Sequence, residues 1–80
     1  ISINITMKTR EKVKKIMSSV LKIQDVSDEI TQANCDKWDS LKHLNLIIEL
    51  EDVFGVSFDP EEIAKMKDLD SICDMVNKRI

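Results

Sequence analysis

Eighty residues with a formal net charge of −3, one Gly, one Pro and 34% charged side chains narrow what this chain can be. A chain of this size makes one domain and buries only about 60% of its unfolded surface, which leaves no depth for a large enclosed active site. So few turn residues exclude a β-sandwich, the supply of Lys, Glu, Leu, Ile and Met favours a small helical bundle, and no stretch reaches the roughly 18 apolar residues of a membrane span.

The charge is unevenly spread. Of the 12 basic and 15 acidic side chains, six basic and one acidic fall in residues 1–23, leaving six and fourteen for residues 24–80. Such asymmetry marks either a binding surface or simply a solvated helix face. A nucleic-acid role fails on the total acidity and on the lack of a second basic helix to enter a groove. Residues 1–6 lack the basic start and apolar run of a signal peptide, so a soluble, cytoplasmic chain is expected, acting as a monomer with no membrane or nucleic-acid partner. Cys35 and Cys73 suit neither a disulfide framework nor, with His43, a four-ligand zinc site, and are read as free thiols, Cys73 as a small core residue.

Along the chain, residues 1–6 carry no helical signal and are expected to be disordered or an added remnant, Met7 being a sensible natural start for a single domain over 7–80. Val13, Ile16, Met17, Val20 and Leu21 then recur at i, i+3, i+4, i+7 and i+8, one apolar stripe on an amphipathic helix over about 8–22. Gln24 to Asp39 has no sustained period and is longer than most loops in compact domains. It reads as an ordered loop laid over the bundle, with Val26, Ile30, Ala33 and Trp38 as anchors, the indole of Trp38 fixing the approach to the next helix.

A second helix opens at the N-cap Asp39, runs to about Phe54 and stops at Gly55. At 100° per residue Leu46, Ile47, Leu50, Val53 and Phe54 gather on one broad side, Leu41, Leu44 and Ile48 widen the apolar arc, and Lys42, Asn45, Glu49 and Asp52 share the polar side. An arc this wide makes it the central helix, touching several partners. Asp59-Pro60-Glu61-Glu62 starts a short helix over about 60–66. The last helix, about 69–79, buries Leu69, Ile72, Cys73, Val76 and the terminal Ile80, with Lys78 and Arg79 favourably near its C-terminus. Met66 is core filler. The fold is all-α: a small four-helix bundle of three longer helices and one short one, with a long loop between the first two.

A serine sits at the first turn of the central helix, in Asp36-Lys37-Trp38-Asp39-Ser40-Leu41-Lys42-His43-Leu44. Read as a hydrolase, Asp39, Ser40 and His43 lack a nucleophile elbow, a group to orient the histidine and a pocket to exclude water. Cys35 with His43 fails alike, and His43 reads as a polar surface or rim residue. No residue is assigned a catalytic or metal-binding role. A helical adaptor that is never modified shares every feature of this fold.

Asp39-Ser40-Leu41 at a helix start resembles the attachment motif of the acyl carrier protein family. The resemblance extends from Met7 to Ile80, through Val13-Lys14-Lys15-Ile16, the Ile47–Val56 segment and Asp59-Pro60-Glu61-Glu62-Ile63. It implies a non-catalytic carrier that holds acyl or aminoacyl groups as thioesters on a 4′-phosphopantetheine arm at Ser40, with Asp39 and Leu41 as flanks. The arm would come from coenzyme A through a phosphopantetheinyl transferase, and acyl-transferring or synthase enzymes would dock over Lys42, Asn45, Ile48, Glu49 and Asp52. Carriers of primary fatty acid synthesis usually have small residues before the motif and acids after it. Here Lys37-Trp38 precede it and Lys42, His43 and Asn45 follow, which resembles stand-alone carriers of specialised polyketide, modified-lipid or aminoacyl pathways.

Overall fold

The computed structural model describes the backbone of residues 2–80 and the side chains from Thr9 onward. Four helices follow one another: α1 (Ser2–Leu21), α2 (Ser40–Phe54), α3 (Pro60–Lys65) and α4 (Leu69–Arg79). The first begins at Ser2 instead of near residue 8, and Ile1 lies outside the described residues. Once its packed stripe has formed a helix, each further residue adds a hydrogen bond at little extra entropy, so the residues before the stripe follow the rest.

The stripe on α1 is buried as its spacing requires, with Val13, Met17 and Leu21 essentially inaccessible. It packs on α2 and α4, whose contributions to the same core include Leu46, Ile47 and Leu50 on one side and Leu69, Ile72, Cys73 and Val76 on the other. The polar side of α1 is fastened outward. Arg10 reaches Asp70 at 2.5 Å and Asp28 at 3.3 Å, and Lys14 reaches Asp28 at 2.7 Å. These pairs are largely exposed and contribute little each.

Residues 22–39 connect α1 to α2 as an ordered segment. Val26, Ile30 and Trp38 are buried anchors, but Ala33 is exposed. Its methyl group offers too little area to hold a loop in place. Hydrogen bonds hold it instead. Gln32 N–H donates to Lys67 O at 2.8 Å, Leu69 N–H donates to Ile30 O at 3.4 Å, and Thr31 and Asp68 form an isolated antiparallel bridge. Thus the loop is sewn to the connection between α3 and α4.

Helix ends are capped as the local sequence dictates. Gly55 takes a left-handed conformation (φ 65°), its N–H and that of Val56 both returning to Glu51 O, which closes α2. Asp59 N–H donates to Glu62 Oε1 at 2.9 Å before Pro60, and Arg79 of α4 reaches the same carboxylate. At α4, Asp68 accepts from Ser71 N–H at 2.7 Å. The short helix ends at Lys65, one residue earlier than its sequence suggests. Ile80, expected in the core, is exposed beyond the last turn.

On α2 the buried arc is narrower than hydropathy alone implies. Leu46, Ile47 and Leu50 are buried and Phe54 is half-buried, whereas Val53, Leu41, Leu44 and Ile48 stand exposed. A bundle with one short helix covers only part of α2, so the remaining apolar arc faces solvent.

Leu50→Ala removes a fully buried side chain from the centre of this core. It should cost about 2–5 kcal/mol, read by thermal or denaturant unfolding, and an unshifted transition would contradict the packing. Acid should weaken the fold as well. The carboxyls of Asp28, Glu62 and Asp68 are held below their ordinary values, by the Lys14 ammonium, the Asp59 N–H with Arg79, and the Ser71 hydroxyl and N–H respectively. A carboxyl whose folded pKa is depressed stabilises above its unfolded value and loses that contribution as pH falls through the folded one. Melting temperature should therefore drop below about pH 4, and Asp68→Asn, which keeps a cap acceptor without the charge, should lose less on acidification.

Candidate functional site

The site is built where the loop turns into α2. Asp39 is extended (φ −91°, ψ −176°). Its carboxylate accepts from Lys42 N–H at 2.8 Å and its carbonyl from His43 N–H at 2.8 Å. Ser40 is therefore the first helical residue, and it is exposed. The cap takes up one of the free amides at this end, and Ser40 projects from a terminus where the dipole favours negative charge.

Behind the serine the site is anchored by rings. Trp38 N–H donates to Cys35 O at 3.0 Å, and its indole is 1% exposed. The indole Nε1–H donates to His43 Nδ1 at 3.0 Å, and His43 Nε2 lies 2.9 Å from Ile63 O on α3. The two rings are 5.8 Å apart at an interplanar angle of 37°. An indole can only donate and a carbonyl can only accept, so the imidazole is neutral with its proton on Nε2. His43 thus corrects the surface or rim placement read from the sequence. Its position i, with Leu46 at i+3, Ile47 at i+4 and Leu50 at i+7, puts it in the middle of the buried stripe. That spacing was the available signal, masked by the polarity of the side chain.

Beside Ser40 lies an open groove of about 380 Å³, lined by Gln32, Ser40, His43, Leu44, Ala64 and Lys67. It joins the loop, α2, α3 and the connection to α4. Gln32, Ala64 and Lys67 had no sequence signal, since only the tertiary fold brings them together. The His43 ring is turned inward with both nitrogens bonded and is no base for Ser40, while the Asp39 carboxylate serves the cap through Oδ1.

Leu41, Leu44 and Ile48 form an exposed apolar ridge along α2. Asn45, Ile48, Glu49 and Asp52 share that side and are exposed, whereas Lys42 is half-buried at its margin. Glu51 is turned away to accept Phe58 N–H at 2.9 Å. Cys35 and Cys73 are unbridged, and burial pushes the Cys73 thiol above its ordinary pKa. No helix is long and apolar enough to cross a membrane among the described residues.

A family model described as a phosphopantetheine attachment site matches residues 11–76. An acyl carrier protein of Thermosynechococcus vestitus is 35% identical over 72 residues, spanning 88% of this chain and 89% of that protein. The solution structure of a holo acyl carrier protein from Geobacter metallireducens superimposes with a TM-score of 0.80 at 30% identity, covering 89% of this chain and 84% of that one. The chain belongs to the acyl carrier protein family. It is a non-catalytic carrier with a phosphopantetheine attachment site.

Removing the cap acceptor with Asp39→Ala should cost about 0.5–2 kcal/mol in denaturant unfolding, while Asp39→Asn should remain near the parent. Equal losses for the two variants would mean that the carboxylate does more than cap.

Proposed function

We propose that Ser40 is the residue that takes the 4′-phosphopantetheine arm. The observation that carries this is its position as an exposed first residue of a capped helix, opening on the groove it shares with Gln32 and Lys67. The residues fit the group: a primary hydroxyl free of bulk, a helix end whose dipole favours a phosphodiester by roughly 0.3–1 kcal/mol, and a groove with polar side chains at its rim. When attached, the arm supplies a thiol that carries an acyl group as a thioester.

The chain's own residues bind and orient. Asp39 holds the first turn, Trp38 and His43 fix the turn against the core, and Leu41 flanks the serine with an exposed apolar side chain. The neighbouring imidazole is bonded at both nitrogens and the carboxylate serves the cap, so the Ser40 proton is left to the enzyme that loads it, a phosphopantetheinyl transferase acting on coenzyme A.

The docking surface for that enzyme and for acyl-transferring or synthase enzymes is the ridge of Leu41, Leu44 and Ile48 with Asn45, Glu49 and Asp52 beside it and Lys42 at its margin. A cation and an amide near Ser40, where carriers of primary fatty acid synthesis usually bear acids, support a carrier of a specialised pathway. We place the carrier domain at residues 7–80 and its work, as a monomer, in the cytoplasm.

Ser40→Ala should melt like the parent yet gain no phosphopantetheinyl mass when incubated with coenzyme A and a broad-specificity transferase, whereas the parent gains one such group. Modification of the alanine variant would move the site elsewhere. A parent chain that took up nothing would fit the adaptor reading.

A further inference from the structure

The one buried imidazole in this protein is not used by the carrier chemistry, yet it holds the last residue but one before Ser40. We propose that His43 is a positioning residue of the carrier site, holding Trp38 and hence the Ser40 turn only while its ring is neutral, so that protonation releases that turn. The proposal rests on Ser40 being the attachment residue.

The geometry leaves the ring one workable state. Nδ1 has to accept the indole N–H at 3.0 Å, and Nε2 has to donate to Ile63 O at 2.9 Å. An imidazolium has two donors and no acceptor. A proton on Nδ1 would point at the indole proton, while the bond to Ile63 O would survive. The contact that breaks is therefore the one to Trp38, and α3 keeps its tie to α2. The indole is 1% exposed and would be left with a buried donor and no acceptor, a state that native structures avoid. The indole has to move, and Asp39 and Ser40 follow it directly in the chain.

The charged groups around the ring do not offer a proton on Nδ1 a new partner. Lys67, from the connection between α3 and α4, lines the same groove and carries the same charge as an imidazolium. From the loop, the Asp39 carboxylate belongs to an exposed residue and accepts from Lys42 N–H through Oδ1, with no bond to the buried ring. From α3, Glu62 is committed to Asp59 N–H and Arg79. On its own helix, Lys42 is again a cation.

Nuclear magnetic resonance of the uniformly ¹⁵N-labelled full chain, unmodified at Ser40, tests this without depending on the attachment. A long-range ¹⁵N spectrum at pH about 8 should find Nδ1 bare and Nε2 protonated, and the opposite tautomer would overturn the proposal whatever any variant does. As acidification protonates the His43 ring, followed by its own ¹⁵N signals, the Trp38 indole N–H and the Ser40 and Leu41 amides should shift with the same midpoint. His43→Gln keeps one acceptor and one donor without titrating, and its indole signal should stay in place. An indole that titrates alike in both proteins, or that stays still while the parent's ring titrates, sinks the idea.

A second readout reaches the function. The ratio of Ser40 loading rates, parent over His43→Gln, cancels the transferase's own pH dependence. It should fall severalfold from the pH at which the ring signals show His43 neutral to the pH at which they show it protonated, and a flat ratio would count against the proposal. Absence of loading in both proteins at every pH, with the indole coupling intact, would instead contradict the assignment of Ser40.

Discussion

A bundle this small has room for few buried polar contacts, and it places two in series directly behind its functional end. Indole to imidazole to backbone carbonyl links Trp38 of the loop, His43 of α2 and Ile63 of α3 in one line. Every donor and acceptor in that line is matched, which a buried polar group requires if it is not to cost about 1–3 kcal/mol. The consequence is positional. A six-residue helix is too short to hold itself, and the Ile63 carbonyl in its last turn, which accepts the Met66 N–H at 3.2 Å, accepts a second hydrogen bond from α2. A loop segment beyond ordinary length is closed at its end by a ring sunk in the core.

The rest of the architecture follows from where that line runs. With Trp38 fixed, Asp39 comes into extended backbone and caps α2, and Ser40 emerges at the first turn. With α3 held on α2, and with the loop bonded to the connection after α3 through Gln32 and Leu69, a groove is left beside the serine rather than a closed core. The helix face away from these contacts has nothing to cover it, which leaves Leu41, Leu44 and Ile48 exposed. One set of contacts thus produces the exposed serine, the adjoining groove and the free apolar ridge.

Much of this was legible in the residues because local signals agreed. Asp39, Gly55 and the Asp59-Pro60 pair mark helix ends by backbone chemistry that depends on a few neighbouring residues, and the α1 stripe follows a 3.6 period without ambiguity. What escaped was set by distant partners. Val53 and Leu44 are as apolar as their buried neighbours, and only the limited reach of α1 and α3 leaves them in water. Ala33 had the right hydropathy for an anchor but not the area. For His43 the polarity points to the surface while the spacing from Leu46, Ile47 and Leu50 points to the core, and its two hydrogen-bond partners lie five and twenty residues away. Gln32, Ala64 and Lys67 could be joined to Ser40 only by knowing how the loop lies.

The central claim is that Ser40 is presented from a rigid turn, fixed by the burial of Trp38, and not from a mobile loop end. Backbone ¹⁵N relaxation of the full chain measures this directly. The account predicts order parameters for Trp38 to Leu41 close to the roughly 0.85 of rigid backbone, matching the middle of α2. Values below about 0.6 over those residues, with α2 itself rigid, would contradict it.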